Sequence, residues 1–258
     1  MVFGLFDNSP VLDPTSEQWL FDACTWVLDN FDAGIFYHDT PLVLPSNDFF
    51  PGRADSANEM AALMLDRVKD YAGVSHWPTR VATHDSVDVA EPPKVEILGD
   101  LRGPGGIAHG SPTLQDTLPI YYIPDQISNP EGMIAGFAHT LAHYMAQFST
   151  TEPPGGREHW PHATELLAIF LGFGVMIANS AYTFRGGCGS CYNPAAVREA
   201  FLSETEATYA LAMFASLKRI PVGQVTRHLK KHLRGTYKKS IKSIRQREND
   251  VSRLQAYA

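Results

Sequence analysis

The chain has 258 residues, 44% hydrophobic and 19% charged, a balance that excludes a mostly disordered protein and allows a sizeable core. Three cysteines exclude a disulfide scaffold as the organising device. The formal net charge of −7 is unevenly spread: residues 1–156 hold 6 Lys/Arg against 21 Asp/Glu (−15), and residues 157–258 hold 15 against 7 (+8).

The first residues, MVFGLFDNSPVLDP, lack the basic start and apolar run of a signal peptide. A single domain over 1–258 is the expectation, mainly helical to about residue 80. Thr15 to Asn30 carries Trp19, Leu20, Ala23, Val27 and Leu28 at helical spacing, with Thr15 or Ser16 able to cap it. A second helix is expected over Ser56–Tyr71, after a proline-rich passage. Between residues 81 and 125 the short runs RVATHD, KVEILGD, GIAHG and PIYYIP, set apart by Pro and Gly, predict a small antiparallel sheet. Helices follow over about 131–148, 162–183, 194–217 and 221–247. A sheet followed by helices predicts an α+β fold.

The longest apolar stretch, Leu166–Ala178, has 13 residues, short of the roughly 20 a membrane helix needs. No membrane span and a cytoplasmic location are therefore expected. Lys218 to Arg247 holds 11 basic residues and no acid. This stretch suggests a nucleic-acid or protein partner, with Lys230, Lys231, Lys238 and Lys239 as its probes. The plainer reading is a solvated basic helix leaning on the acidic N-terminal part, and it is preferred because no aromatic platform accompanies the charge.

The chemistry points to GFAHTLAHYMAQ, residues 136–147. His139 and His143, four apart, share one helix face and can bind one cation together. Ile134, Phe137, Leu141, Met145 and Phe148 form an anchoring stripe, and Ala135, Ala142 and Ala146 leave room beside the imidazoles. His228 and His232 repeat the spacing, but Lys230 and Lys231 would oppose a cation there. Glu165 opens the apolar run TELLAIFLGFGVMIANSAY, where a buried carboxylate needs either a cation or a helix N-terminus. It is the candidate third ligand, with water left for a fourth position.

GFAHTLAHYMAQ, TELLAIFLGFGVMIANSAY and LSETEATYALAMFASLK, with LVLPSNDFFPG and LMLDRVKDYAGV upstream, resemble a group of uncharacterised bacterial zincin-like, metallopeptidase-like proteins. The pattern of that group is His-Glu-x-x-His, then Thr-Asp or Thr-Glu opening an apolar helix that ends in Ala-Asn-Ser. The resemblance implies a zincin-like fold, a small sheet packed on metal-bearing helices, and one Zn²⁺ held by His139, His143 and Glu165. The resemblance says little about substrate, and an unidentified peptide or protein ligand is the expected partner. Thr140 departs from the pattern, standing where the general-base glutamate belongs. A threonine hydroxyl is no base near neutral pH, and losing general acid–base catalysis removes about 10²–10⁴-fold in rate. A zinc-binding pseudo-enzyme or impaired hydrolase is expected.

Glu158, His159, His162, Glu204, Glu206 and Tyr209 are the substitutes that would make an active hydrolase. Glu204 and Glu206 also suit a helix cap after Ser203. A metal-free structural protein is the remaining alternative. Cys188 and Cys191 form a C-x-x-C in a glycine-rich turn. A structural zinc site would need two more ligands, which His159 and His162 could supply since Cys24 is the one other thiol. A plain turn between helices with reduced or loosely paired thiols is the preferred reading.

Overall fold

The structure is a computed structural model and describes residues 10–83, 96–108, 110, 112–113, 116–181 and 199–258. Helix α1 (Pro14–Asn30) starts one residue before the expected Thr15, so neither Thr15 nor Ser16 caps it. Asp13 is the cap, its carboxylate accepting from the amides of Thr15 and Ser16, and Pro14 fits the first turn because it has no amide to satisfy. After α2 (Ala33–His38), α3 (Ala57–Ala72) opens on a reciprocal cap between Ser56 and Glu59 and closes on left-handed Gly73.

The sheet differs from the expected antiparallel one. β1 (Thr79–Thr83) pairs in parallel with β4 (Leu118–Tyr122), Val81 opposite Ile120. Only the two-residue strands β2 (Leu98–Gly99) and β3 (Gly106–Ile107) run antiparallel. More than thirty residues separate β1 from β4, enough for the crossover that parallel pairing demands. β4 is buried at four of its five residues, as a strand covered on both faces should be. The result is a mixed helical fold with two small sheets, compatible with α+β.

The second half is helical: α4 (Pro130–Ala146), α5 (Trp160–Ala168), α6 (Gly174–Ser180), α7 (Glu204–Leu217), α8 (Val222–His228), α9 (Leu233–Gln246) and α10 (Glu248–Gln255). The apolar run after Glu165 is buried throughout, as expected. It is long and apolar enough to cross a membrane when taken as Gly156–Ser180, but 94% of its apolar window lies inside the protein, so it serves as a core helix. It is also broken. A widened turn over Ile169–Phe173 separates α5 from α6, and Gly172 takes a φ of 104°. Val43 donates to the Gly172 carbonyl, and a Cβ on Gly172 would sit 2.3 Å from the Pro41 carbonyl oxygen. Only glycine lets the 41–43 segment dock there.

Residues 194–198 of the expected 194–217 helix, and the cysteines at 188 and 191, lie outside the described residues. The expected 221–247 helix divides at Leu229–His232. Buried Asn179 organises the division: its amide donates to the His228 carbonyl and to Glu131, and its oxygen accepts from the Lys230 amide. His228 and His232 therefore end one helix and precede the next instead of sharing a face. His232 faces an acid after all, Glu204, at 2.9 Å.

One hydrophobic core runs through α1, α3, α4, α5, α6, α7 and α9. The 149–156 loop, the best candidate breakpoint in the sequence, is pinned to α1. Trp26 donates to the Thr151 carbonyl, Trp19 to the Pro154 carbonyl, and Asn30 accepts from Thr150.

Candidate functional site

Helix α4 forms as its pattern predicts. Asn129 caps it, Pro130 occupies its first turn, and Ile134, Phe137, Leu141 and Met145 are buried in the core. Phe148, placed in the same stripe by its spacing, lies past the helix end and is 46% exposed. The buried faces of Ala135, Ala142 and Ala146 let neighbouring helices approach, and α4 packs directly on α5. Tyr144 donates to the Pro119 carbonyl at 3.2 Å, fixing α4 beside β4.

His139 is half-buried, and its ring stacks on Phe201 with centroids 5.4 Å apart and planes inclined by 19°. His143, one turn further on, reaches the surface and turns its ring toward Tyr144. Desolvation lowers its pKa below the usual histidine value, which favours the neutral imidazole. Thr140 lies between them with its hydroxyl donating to the Gly136 carbonyl at 3.0 Å. That bond to the preceding turn ties the hydroxyl to its own helix.

Glu165 is fully buried, but it does not open a helix. α5 begins at Trp160, so Glu165 sits beyond the first turn, where the dipole of its own helix offers little. Its charge is met by main-chain amides instead: Oε2 accepts from Phe201 at 2.6 Å and from Leu202 at 2.9 Å, just before the Ser203 cap of α7. Charge-assisted bonds to two amides offset much of the cost of burying a carboxylate.

Phe201 thus touches three of the chemically interesting residues. Its amide holds Glu165, its face covers His139, and it meets the His162 ring edge-on with centroids 6.3 Å apart. His162 Nδ1 is buried and meets no hydrogen-bond partner among the described residues. Trp19 of α1 closes the far side, 6.2 Å from His162 and 5.8 Å from His159. His159 Nδ1 lies 3.2 Å from the Gly155 carbonyl oxygen, and Glu158 is exposed.

The spacing His159-x-x-His162-x-x-Glu165 was the available signal for this second histidine-bearing face. Phe201 and Trp19 carried none, since both come from distant parts of the chain.

Among the described residues, no three His, Cys, Asp or Glu side chains are gathered to hold one metal ion. The donor chemistry suits zinc, with imidazoles and a carboxylate on packed helices, and the orphaned His162 nitrogen is a group that a cation would satisfy. Phe201 occupies the approach to His139.

The other candidates have structural partners. Glu206 and Ser203 form a reciprocal cap of α7. The Tyr209 hydroxyl donates to Glu17, which also accepts from Ser243 at 2.7 Å and Arg247 at 3.1 Å. Burial, then the bond to Glu17, raises the Tyr209 pKa well above an ordinary phenol. Cys24 is buried among core side chains, which pushes its thiol pKa up and keeps it out of thiolate chemistry. Comparisons with protein-family models, with curated proteins and with solved structures found no match to this chain.

Proposed function

We propose that the chain is a zinc-binding, metallopeptidase-like protein without the usual general base, acting by holding a peptide or protein ligand. One observation supports this reading: Phe201 stacks on His139, meets His162 edge-on and donates its amide to Glu165. His139, His143 and Glu165 are the proposed ligands, with the unsatisfied nitrogen of His162 beside them.

Bound zinc would supply Lewis acidity toward a carbonyl or a water. The chain's own groups supply no matching proton acceptor at the expected position, because Thr140 gives its hydroxyl hydrogen to the Gly136 carbonyl. Trp19, His159 and Phe201, which pack on neighbouring rings, are the aromatic groups that would border a bound chain.

Elemental analysis of protein purified without chelator tests the reading. About one zinc per chain is expected, lost in His139→Ala and His143→Ala. Metal-free wild type removes the proposal, and full zinc in His143→Ala removes that residue from the ligand set. Thr140→Glu is expected to raise peptide hydrolysis by about 10²–10⁴-fold over a near-zero background.

A further inference from the structure

A groove of about 570 Å³ lies away from the histidines, between the end of α7, the start of α8 and the faces of α9 and α10. Its floor is aliphatic: Ile220, Val222, Ile241, Ile244 and Val251. Its charged groups are Arg219, Arg245 and Glu248. The two arginines differ from their neighbours. Arg247 is bonded to Glu17, Gln18 and Asp250, and Arg253 pairs with Asp22 and Asp250. Arg219 and Arg245 are exposed and meet no acid among the described residues.

Arg219 also holds an unusual place. It is the left-handed residue, φ 54°, in the reversal that ends α7, with the Ile220 amide donating back to Ala215 and its own amide to Ser216. Glycine takes that conformation without strain, so an arginine there sets a guanidinium on the groove rim at some backbone cost. Along α9, Lys238, Lys242 and Arg245 recur at i, i+4 and i+7, all exposed, and extend the positive rim.

We propose that this groove docks an acidic amphipathic segment of a partner protein, its apolar side chains on the floor and its carboxylates on Arg219, Arg245 and Lys242. Charge complementarity selects the occupant, and the rim is positive in a chain whose net charge is −7. Arginine forks suit carboxylates. The lining contains no aromatic ring, so it offers no platform for stacking nucleic-acid bases. The volume suits a few aliphatic side chains. Glu248 also lines the groove and would repel an unbroken acidic run, which favours a segment with apolar residues between its acids.

Fluorescence anisotropy of the full chain tests this with a labelled helical peptide of Glu and Leu, its leucines on one face. The competing probes are its Lys-for-Glu counterpart, oligoglutamate and oligothymidylate. Micromolar binding of the Glu/Leu peptide is expected, weakened about tenfold or more in the Arg219→Glu/Arg245→Glu variant and by salt. Both substitutions are at exposed positions, and a matching thermal melt verifies the fold. An unbound Glu/Leu peptide, equal binding by the variant, equal binding of the Lys peptide, or preference for oligothymidylate each overturns the proposal. Zinc content plays no part in the outcome.

Discussion

Two carboxylates sit between packed helices, Glu17 where α1 meets α7 and α9, and Glu165 where α5 meets the lead-in to α7. Glu17 is met by side chains: the Tyr209 hydroxyl, the Ser243 hydroxyl and the Arg247 guanidinium. Glu165 is met by the main-chain amides of Phe201 and Leu202. Side chains at Glu17 include a fixed counter-charge, so that centre is a finished structural clamp. Amides supply dipoles, and a carboxylate held by dipoles keeps its affinity for a cation. In the proposed reading Glu165, held by the amide of the residue whose ring stacks on His139, is the carboxylate of interest.

The largest expected effect breaks the first half of that comparison. Glu17→Ala leaves two hydroxyls without their acceptor and removes one partner of Arg247, which keeps Gln18 and Asp250, at a cost of about 2 kcal/mol. Urea unfolding should show a lower midpoint with an unchanged slope. The pH dependence follows from the same network. Burial works against the Glu17 charge, but the bonds from Tyr209, Ser243 and Arg247 outweigh it and hold the pKa below the ordinary glutamate value. A carboxyl depressed in the folded state stabilises fully above its unfolded pKa of about 4.5, and this contribution fades as pH falls through the lower folded value. Glu17→Gln should therefore flatten the acid side of the stability profile. An identical acid limb in the variant would show that Glu17 is not the group responsible.

The second half is sharpened at Phe201. Removing its ring by Phe201→Ala uncovers His139 while leaving the Phe201 amide bond to Glu165 in place. Zinc should bind about tenfold more tightly, roughly 1.4 kcal/mol, in a competition with a chromophoric chelator. Weaker binding would make the ring part of the site instead of its cover.

What the sequence made legible was local. The α4 histidine spacing, the buried run after Glu165 and the Ser203–Glu206 cap depend on residues a few positions apart, where helix periodicity and capping rules act directly. The surroundings of the site were not legible, because they join distant segments. The Glu165 bonds span 36 and 37 residues, and Tyr209 to Glu17 spans 192. Glu165 showed that it needed a partner, but nothing in its neighbourhood said that the partner would be an amide pair. Gly172 gave no sign within its apolar run that the 41–43 segment would dock there and break the helix. The pairing of β1 with β4 was misread for a related reason, since short strands separated by turn residues look alike whether they meet as hairpins or through a crossover.

The smallest expected effect concerns Thr140, whose position matters to the functional reading and whose side chain contributes little to the fold. Its hydroxyl bonds a carbonyl that the helix already uses, and such back-bonding in a helix is slightly unfavourable. Alanine has the better helix propensity. Thr140→Ala should then change stability by less than about 0.5 kcal/mol in either direction, and leave zinc content unaltered. A loss several times larger would mean that the threonine is held for packing. A stable variant with lost zinc would make the hydroxyl part of the metal's surroundings, and would place it with the proposed ligands and not with the fold.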